Sequence, residues 1–142
     1  MGLVIDTSIL IAAEKGEIDF GQWQSHGDAY ISSVTITELL IGVHRADSEE
    51  RRIKRSAFVE HIIASIAALP FAEEEARIYA QILKNLYDKR LTIGVHDMLI
   101  GATAIANGYP VLTTNESDFK RIDGLEVITL AKPKATRRTN NK

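Results

Sequence analysis

Short apolar runs rich in β-branched residues alternate along the chain with longer stretches in which apolar side chains recur at helical spacing. That order predicts a parallel sheet with helices packed on its faces. The strands it predicts are Leu3 to Asp6, Ala29 to Ser32, Val111 to Thr114 and Val127 to Leu130, with a weaker one near Leu69. Between Ser48 and Ala68, the positions Ile53, Phe58, Ile62, Ile63 and Ile66 keep a helical period, and Ser48 followed by Glu49 and Glu50 makes a helix start. A second helix follows Pro70, from about Glu73 to Lys89, with acids in its first turn and Lys89-Arg90 in its last, as the helix dipole prefers. A third runs from Val95 to Asn107, with Gly94 before it and Gly108 as its C-terminal cap. No internal repeat and no linker interrupts the pattern before Ala131. The reading is one α/β domain over residues 1–130, followed by a basic, disordered tail over 131–142.

Composition agrees with one domain: 142 residues at 45% hydrophobic content close a single core without staples. The chain has no cysteine, which removes thiolate metal sites, thiol nucleophiles and disulfides together. No run approaches the roughly 20 apolar residues that span a bilayer. Met1-Gly2 leads straight into a strand, so the expectation is a cytoplasmic protein with no membrane association. The sequon Asn115-Glu116-Ser117 then has no secretory context. A net charge of -2 argues against a basic nucleic-acid binder of the usual kind. Positive charge gathers in two places, Arg51, Arg52, Lys54 and Arg55, and the tail residues Lys132, Lys134, Arg137, Arg138 and Lys142. Each is either a solvated surface or a contact for a phosphate backbone.

Four acids break the apolar pattern near element ends: Asp6 closing the first strand, Glu38 in Thr35-Ile36-Thr37-Glu38, Asp97 in Gly94-Val95-His96-Asp97, and Asp118 after Thr114-Asn115. In open parallel sheets, ligands bind beyond the carboxyl ends of the strands, where the connection order reverses. Gathered there, the acids would repel one another by about 4 kcal/mol per pair at 4 Å and an effective dielectric of 20. A divalent cation removes that repulsion. With oxygen ligands only, and with His26, His44 and His61 at no ligand spacing, magnesium or manganese is favoured over zinc or copper. Each acid also has a plainer explanation: a capping box for Thr35 and Glu38, a dipole-stabilised first turn for Asp97, a loop aspartate for Asp118. Asp6 is hardest to dismiss, since an acid closing a buried strand needs a partner. His96, next to Asp97, reads as an exposed histidine rather than a general base.

Taken jointly, Leu3-Val4-Ile5-Asp6-Thr7-Ser8, Glu38 in a helix after Ser32-Ser33, Ile93-Gly94-Val95-His96-Asp97-Met98-Leu99-Ile100-Gly101-Ala102, and Leu112-Thr113-Thr114-Asn115-Glu116-Ser117-Asp118-Phe119 resemble the PIN-domain family. The likeness is strongest to the VapC toxins of bacterial type II toxin-antitoxin modules, and it covers about residues 3 to 130. The resemblance implies a three-layer α/β/α sandwich around a parallel sheet and a Mg²⁺-dependent endoribonuclease acting on an RNA substrate through metal-activated water. Asp6, Glu38 and Asp97 match the family's three acids, with Asp6 and Asp97 as the magnesium ligands. Where many members carry a fourth aspartate this chain has Asn115, with Asp118 three residues on, so either completes the site. Thr7 and Thr114 match hydroxyl residues that line the pocket. The implied partners are a VapB-type antitoxin, whose peptide covers or enters the acidic groove, and a second copy of the chain. A homodimer also follows from the apolar surplus at Ile62, Ile63, Ile66, Ile78, Ile82, Leu83 and Leu86. Two alternatives stand beside this. One is a phosphoacceptor receiver-like signalling domain, suggested by Leu130-Ala131-Lys132-Pro133 but lacking a paired acid after the first strand. The other is a PIN-like domain that only binds RNA or a partner.

The basic tail makes one expectation measurable. Truncation after Leu130 should weaken RNA binding and lower the slope of log affinity against log salt by roughly 0.7 for each phosphate that the tail neutralises. An unchanged slope in a salt titration would leave the tail as a solvated segment only.

Overall fold

A computed structural model describes residues 1–19, 21 and 26–130. The tail residues from Lys132 to Lys142, and the expectation that they contact RNA, lie outside the described residues. In chain order the elements are β1 (Gly2–Ile5), α1 (Thr7–Glu14), β2 (Asp28–Ser32), α2 (Ser33–His44), α3 (Glu49–Ser65), β3 (Ala67–Leu69), α4 (Glu73–Asp88), α5 (Val95–Asn107), β4 (Val111–Thr113), α6 (Glu116–Phe119) and β5 (Val127–Thr129). The strands form one five-stranded sheet in the order β3-β2-β1-β4-β5, and every pairing is parallel. This is the three-layer α/β/α sandwich the sequence leads one to expect.

Strand alternation divides the core. Leu3, Ile5, Ile31 and Leu112 face one side, where they pack with Ile9 and Leu10 of α1, Leu39 and Val43 of α2, and Val59 and Ile62 of α3. Val4 and Val111 face the other, against Ile82 and Leu86 of α4, Met98 and Ile100 of α5, and Phe119 of α6. Right-handed crossovers impose this split. From β1 the chain steps outward to β2 and β3, laying α1 to α3 on one face. It then returns past β1 to β4, and the reversed direction lays α4 and α5 on the opposite face. The reversal falls between β1 and β4, so the crevice beyond their carboxyl ends is the topological switch point.

Several boundaries move for physical reasons. Asp6 does not end the strand; it is the N-cap residue of α1, with extended backbone angles and no side-chain cap bond. The helical period read through Ala68 stops at Ser65, because Ile66 turns extended and Ala67 to Leu69 pair with Tyr30 to Ser32 as the edge strand. Ser48 caps α3 as expected, accepting the Arg51 N–H at 3.1 Å. Gly108 ends α5 in the left-handed region at φ 70°, where the Tyr109 N–H returns to the Ala104 carbonyl. Helices α1 and α6 go beyond the elements that the pattern predicts. The residues behind the dimer expectation are largely spent inside the protomer. Ile62, Ile82 and Leu86 are buried, and Ile63, Ile66, Ile78 and Leu83 half-buried; Ile53, Tyr87 and Val95 are the more exposed apolar side chains.

Gly101 shows how close α5 comes to the α6 segment. A Cβ there would stand 2.7 Å from Ile122 Cδ1. Gly101→Val should therefore destabilise the fold by about 1–3 kcal/mol through overpacking. Gly101→Ala should cost less, because Ile122 Cδ1 can swing aside and alanine favours helix. Urea denaturation checks both, and a neutral Gly101→Val would show that the contact yields freely.

Candidate active site

Asp6 is buried where β1 ends, on the face shared with Val4, and Thr113 sits two residues past Val111 on that face. The Ser8 and Thr113 hydroxyls both donate to Asp6 Oδ2, at 2.6 and 2.8 Å. Ser8 Oγ also accepts the Thr114 N–H at 3.2 Å, and Thr113 Oγ1 accepts the Asn115 N–H at 2.9 Å. These bonds tie the start of α1 to the end of β4 through one carboxylate oxygen. Charge-assisted hydrogen bonds of this kind are about twice as strong as neutral ones.

Glu38 reaches the same crevice from α2. The capping-box explanation does not hold, because α2 starts at Ser33 and Ser32 is its N-cap, accepting the Val34 N–H at 3.1 Å. Thr35 lies inside the helix and Glu38 a turn further on. Glu38 Oε1 instead accepts from Thr7 Oγ1 at 2.9 Å, and Thr7 is also hydrogen-bonded to the buried Thr35 hydroxyl at 3.1 Å.

Asp97 stands in the first turn of α5, behind Gly94, which supplies no side-chain cap. Burial is the largest influence on its carboxyl, followed by the charge of Asp6, a hydrogen bond and charge from Asp118, and the charge of Glu38. Together they push it up to about 7 from an ordinary 3.8, against the pull of the helix dipole. Asp6, Glu38 and Asp118, from three other places in the fold, thus all bear on Asp97 at the switch point. Asp118, which belongs to the short helix α6 rather than a loop, is the residue that meets Asp97. Asn115 is turned into its own helix start, its Oδ1 accepting from Ser117 Oγ at 3.2 Å. Thr114 is half-buried, and its Oγ1 is shielded from solvent with no hydrogen-bond partner among the described residues.

Among the described residues, no three acids or histidines form a ready-made metal cage. The donor set nevertheless suits Mg²⁺, which takes one or two protein carboxylates and keeps several waters. An all-oxygen cluster that raises one of its own carboxyls to about 7 is electrostatically short of a cation.

The basic residues are elsewhere. Arg51 pairs with Asp47 at 2.8 Å, Arg52 with Glu49 at 3.4 Å and Lys54 with Glu50 at 3.6 Å, all along α3 and exposed. Arg55 joins α3 to α1 and α2 through Glu14 at 3.4 Å and the Gly42 carbonyl at 2.8 Å. Exposed pairs of this kind contribute about 0–1 kcal/mol each. Sequence reasoning missed Ser8, Thr35 and Thr113, whose hydroxyls position the acids. It also set aside His96, whose Nδ1 lies 3.6 Å from Glu38 Oε2. The signal for Ser8 and Thr113 was available, because hydroxyl residues flank both strand ends at the reversal point.

The chain belongs to the PIN-domain family, whose model matches residues 3–125, and within that family to the VapC proteins. It is 55% identical over 131 residues to Ribonuclease VapC1 of Rickettsia felis, covering 92% of this chain and 98% of that protein. It is 51% identical over 130 residues to Ribonuclease VapC of Rickettsia bellii, covering 92% and 97%. Among solved structures it resembles DNA-bound VapBC from Salmonella typhimurium, with a TM-score of 0.81 and 26% identity over 91% of this chain and 98% of that one.

The raised carboxyl of Asp97 has a testable sign. In metal-free protein, folded and unfolded chains both hold this proton below about pH 3.8, and between 3.8 and about 7 only the folded chain does. This group's contribution to stability therefore falls as pH rises through that window and stays low above it. The melting temperature of metal-free Asp97→Asn, relative to the unmodified chain, should rise between about pH 5 and about pH 8. A pH-independent difference in thermal melts would mean that Asp97 does not feel its neighbours.

Proposed function

We propose that this chain is a magnesium-dependent endoribonuclease and the toxin half of a VapBC-type module, with manganese able to replace magnesium. The observation that carries the reading is the gathering of Asp6, Glu38, Asp97 and Asp118 at the β1/β4 switch point, with Asp97 raised to about 7 by burial and by the others. The likeness to proteins named ribonucleases and to a VapBC complex supports it. Asp6 and Asp97 would hold the ion. Bound there, it would polarise the scissile phosphate and lower the pKa of a bound water.

The chain's own residues divide the remaining work. Ser8 and Thr113 occupy Oδ2 of Asp6, and the other oxygen has no hydrogen-bond donor among the described residues. Thr7 anchors Oε1 of Glu38, and a lone pair of Oε2 would orient a water and take its proton. Asp118, hydrogen-bonded to Asp97, would help to hold that carboxyl at the crevice. Ser8 is committed to Asp6 and to the Thr114 N–H, so it is not free to attack. Hydrolysis by water, without a covalent intermediate, is the chemistry that fits. The sheet order counts against the receiver alternative, because receivers use the order 2-1-3-4-5 while here β1 lies between β2 and β4. A purely binding role would leave this array of positioned carboxylates unused.

The partner in this reading is a VapB-type antitoxin whose peptide covers the acids, with a homodimer as the working state. A groove of about 340 Å³ between α1, α2 and α3, with Ile11, Leu39 and Arg55 in its walls, reaches Glu38 and offers a path for such a peptide. No described helix is long and apolar enough to cross a membrane.

Asp6→Asn and Asp97→Asn should each abolish Mg²⁺-dependent RNA cleavage while the folded state survives, because removing a like charge relieves repulsion. Glu38→Gln should lower activity by about 10²-fold or more with little change in melting temperature. Cleavage assays on defined RNA, paired with thermal melts, decide this. Full activity in Asp6→Asn would refute the metal-centred reading.

A further inference from the structure

Glu38 has a long side chain rising from the middle of a helix toward Asp97, on whose carboxyl its charge bears. Something must hold its carboxylate in place. Thr7 holds Oε1 at 2.9 Å. The other oxygen lies 3.6 Å from Nδ1 of the His96 ring on α5. His96 is 48% exposed at its side chain, and its Nε2 has no hydrogen-bond partner among the described residues. The ring therefore has room to turn, and the one polar contact of its side chain among the described residues is with Glu38.

We propose that His96 is a positioning residue for the reaction: its Nδ1–H fixes Oε2 of Glu38 while Thr7 fixes Oε1, so that the carboxylate keeps one orientation against the pull of its neighbours. The inference rests on the ribonuclease reading and deepens it. At 3.6 Å the contact is beyond hydrogen-bond length. A small rotation of the exposed ring closes it, and such bonds commonly tighten only in the substrate complex. The two holders come from opposite faces of the sheet, Thr7 from α1 and His96 from α5. Glu38 thereby registers the relative placement of both helical layers across the switch point. Two further features fit. His96 stands beside Asp97 on the first turn of α5, so the helix that aims Asp97 also aims the ring. The role requires only a donor at Nδ1, which the neutral Nδ1–H tautomer and the charged ring both provide.

Amide replacements separate positioning from substrate contact. Asparagine puts its Nδ2 donor close to where Nδ1 stands; glutamine puts its amide nearer Nε2. His96→Ala should lower kcat on a defined RNA by about 10- to 100-fold with KM little changed, the usual cost of removing a group that orients an active-site ligand. His96→Asn should recover most of that loss and His96→Gln little of it. In a Glu38→Ala background, His96→Ala should cost almost nothing more, because its target is gone. A readout independent of activity is the ¹⁵N spectrum of the metal-free protein, where Nδ1 of His96 should carry the proton in the unmodified chain and lose that preference in Glu38→Ala. Undiminished kcat in His96→Ala would overturn the proposal. So would rescue by glutamine as complete as by asparagine, or a full additional loss in the Glu38→Ala background. An unmodified chain that does not cleave RNA would instead overturn the ribonuclease reading, and the nitrogen spectrum would still decide whether His96 holds Glu38.

Discussion

Repulsion of the Asp97 carboxylate by Asp6, Asp118 and Glu38 is the constraint around which this site is arranged. Two carboxylates about 4 Å apart cost about 4 kcal/mol at a dielectric typical of partly buried sites, and a marginally stable domain has little to spare. Three of these acids are accordingly held. Two hydroxyls clamp one oxygen of Asp6, Thr7 clamps one oxygen of Glu38, and the positive end of α5 faces Asp97. Where holding falls short, as at Asp97, the carboxyl is pushed up to about 7. The hydroxyls around these acids act as structural solvent: they replace water at one edge of each carboxylate and leave the other edge for a ligand.

Chain topology determines that these acids meet. The order β3-β2-β1-β4-β5 reverses at β1/β4, which puts the end of β1, the N-terminus of α5 and the segment after β4 around one crevice. Gly101 lets α5 approach Ile122 closely, and this brings Asp118 on α6 within reach of Asp97. Packing on the α4/α5 side of the sheet therefore bears on the chemistry of the site as directly as the acids themselves do.

The sheet and its longer helices were legible in the sequence because their signals are local: β-branched runs, a 3.6-residue period, Ser48 as a cap and Gly108 in the left-handed region. The failures were also local signals, overruled by the tertiary structure. Ile66 continues the helical period, yet the open edge of β2 recruits Ala67 to Leu69 as a strand. Thr35 and Glu38 have capping-box spacing, but Ser32 already caps the helix ahead of that position. The four acids stood out because each interrupts an apolar pattern. Of the hydroxyls that hold them, Thr7 was singled out, while Ser8 and Thr113 were not, because Ser and Thr are ordinary at strand ends until the partner strand is known. His96 was set aside as an exposed histidine for a related reason. Neighbours along a helix do not face one another, and nothing in the local sequence says that position 96 looks toward α2.

Glu75 shows that burial of an acid does not by itself mark a functional group. It is buried much as Asp6 is, yet its Oε2 accepts the Ala72 N–H at 3.1 Å at the start of α4, and it is not among the acids that raise Asp97. Its bond closes a helix end, and no ligand is needed to explain it. Asp6 and Glu38 differ in that each takes a hydrogen bond from another element, Thr113 on β4 and Thr7 on α1, which leaves the other oxygen of each uncommitted or underpaired. A helix cap satisfies its acid within one turn of chain. This cluster is satisfied only in part by the fold, and the residue of unrelieved repulsion is free energy available to whatever cation, ion or basic side chain, enters the crevice. A metal and a cationic side chain would draw on that same repulsion, so occupancy by one excludes the benefit of the other, and a site built this way is open to competitive control by charge alone.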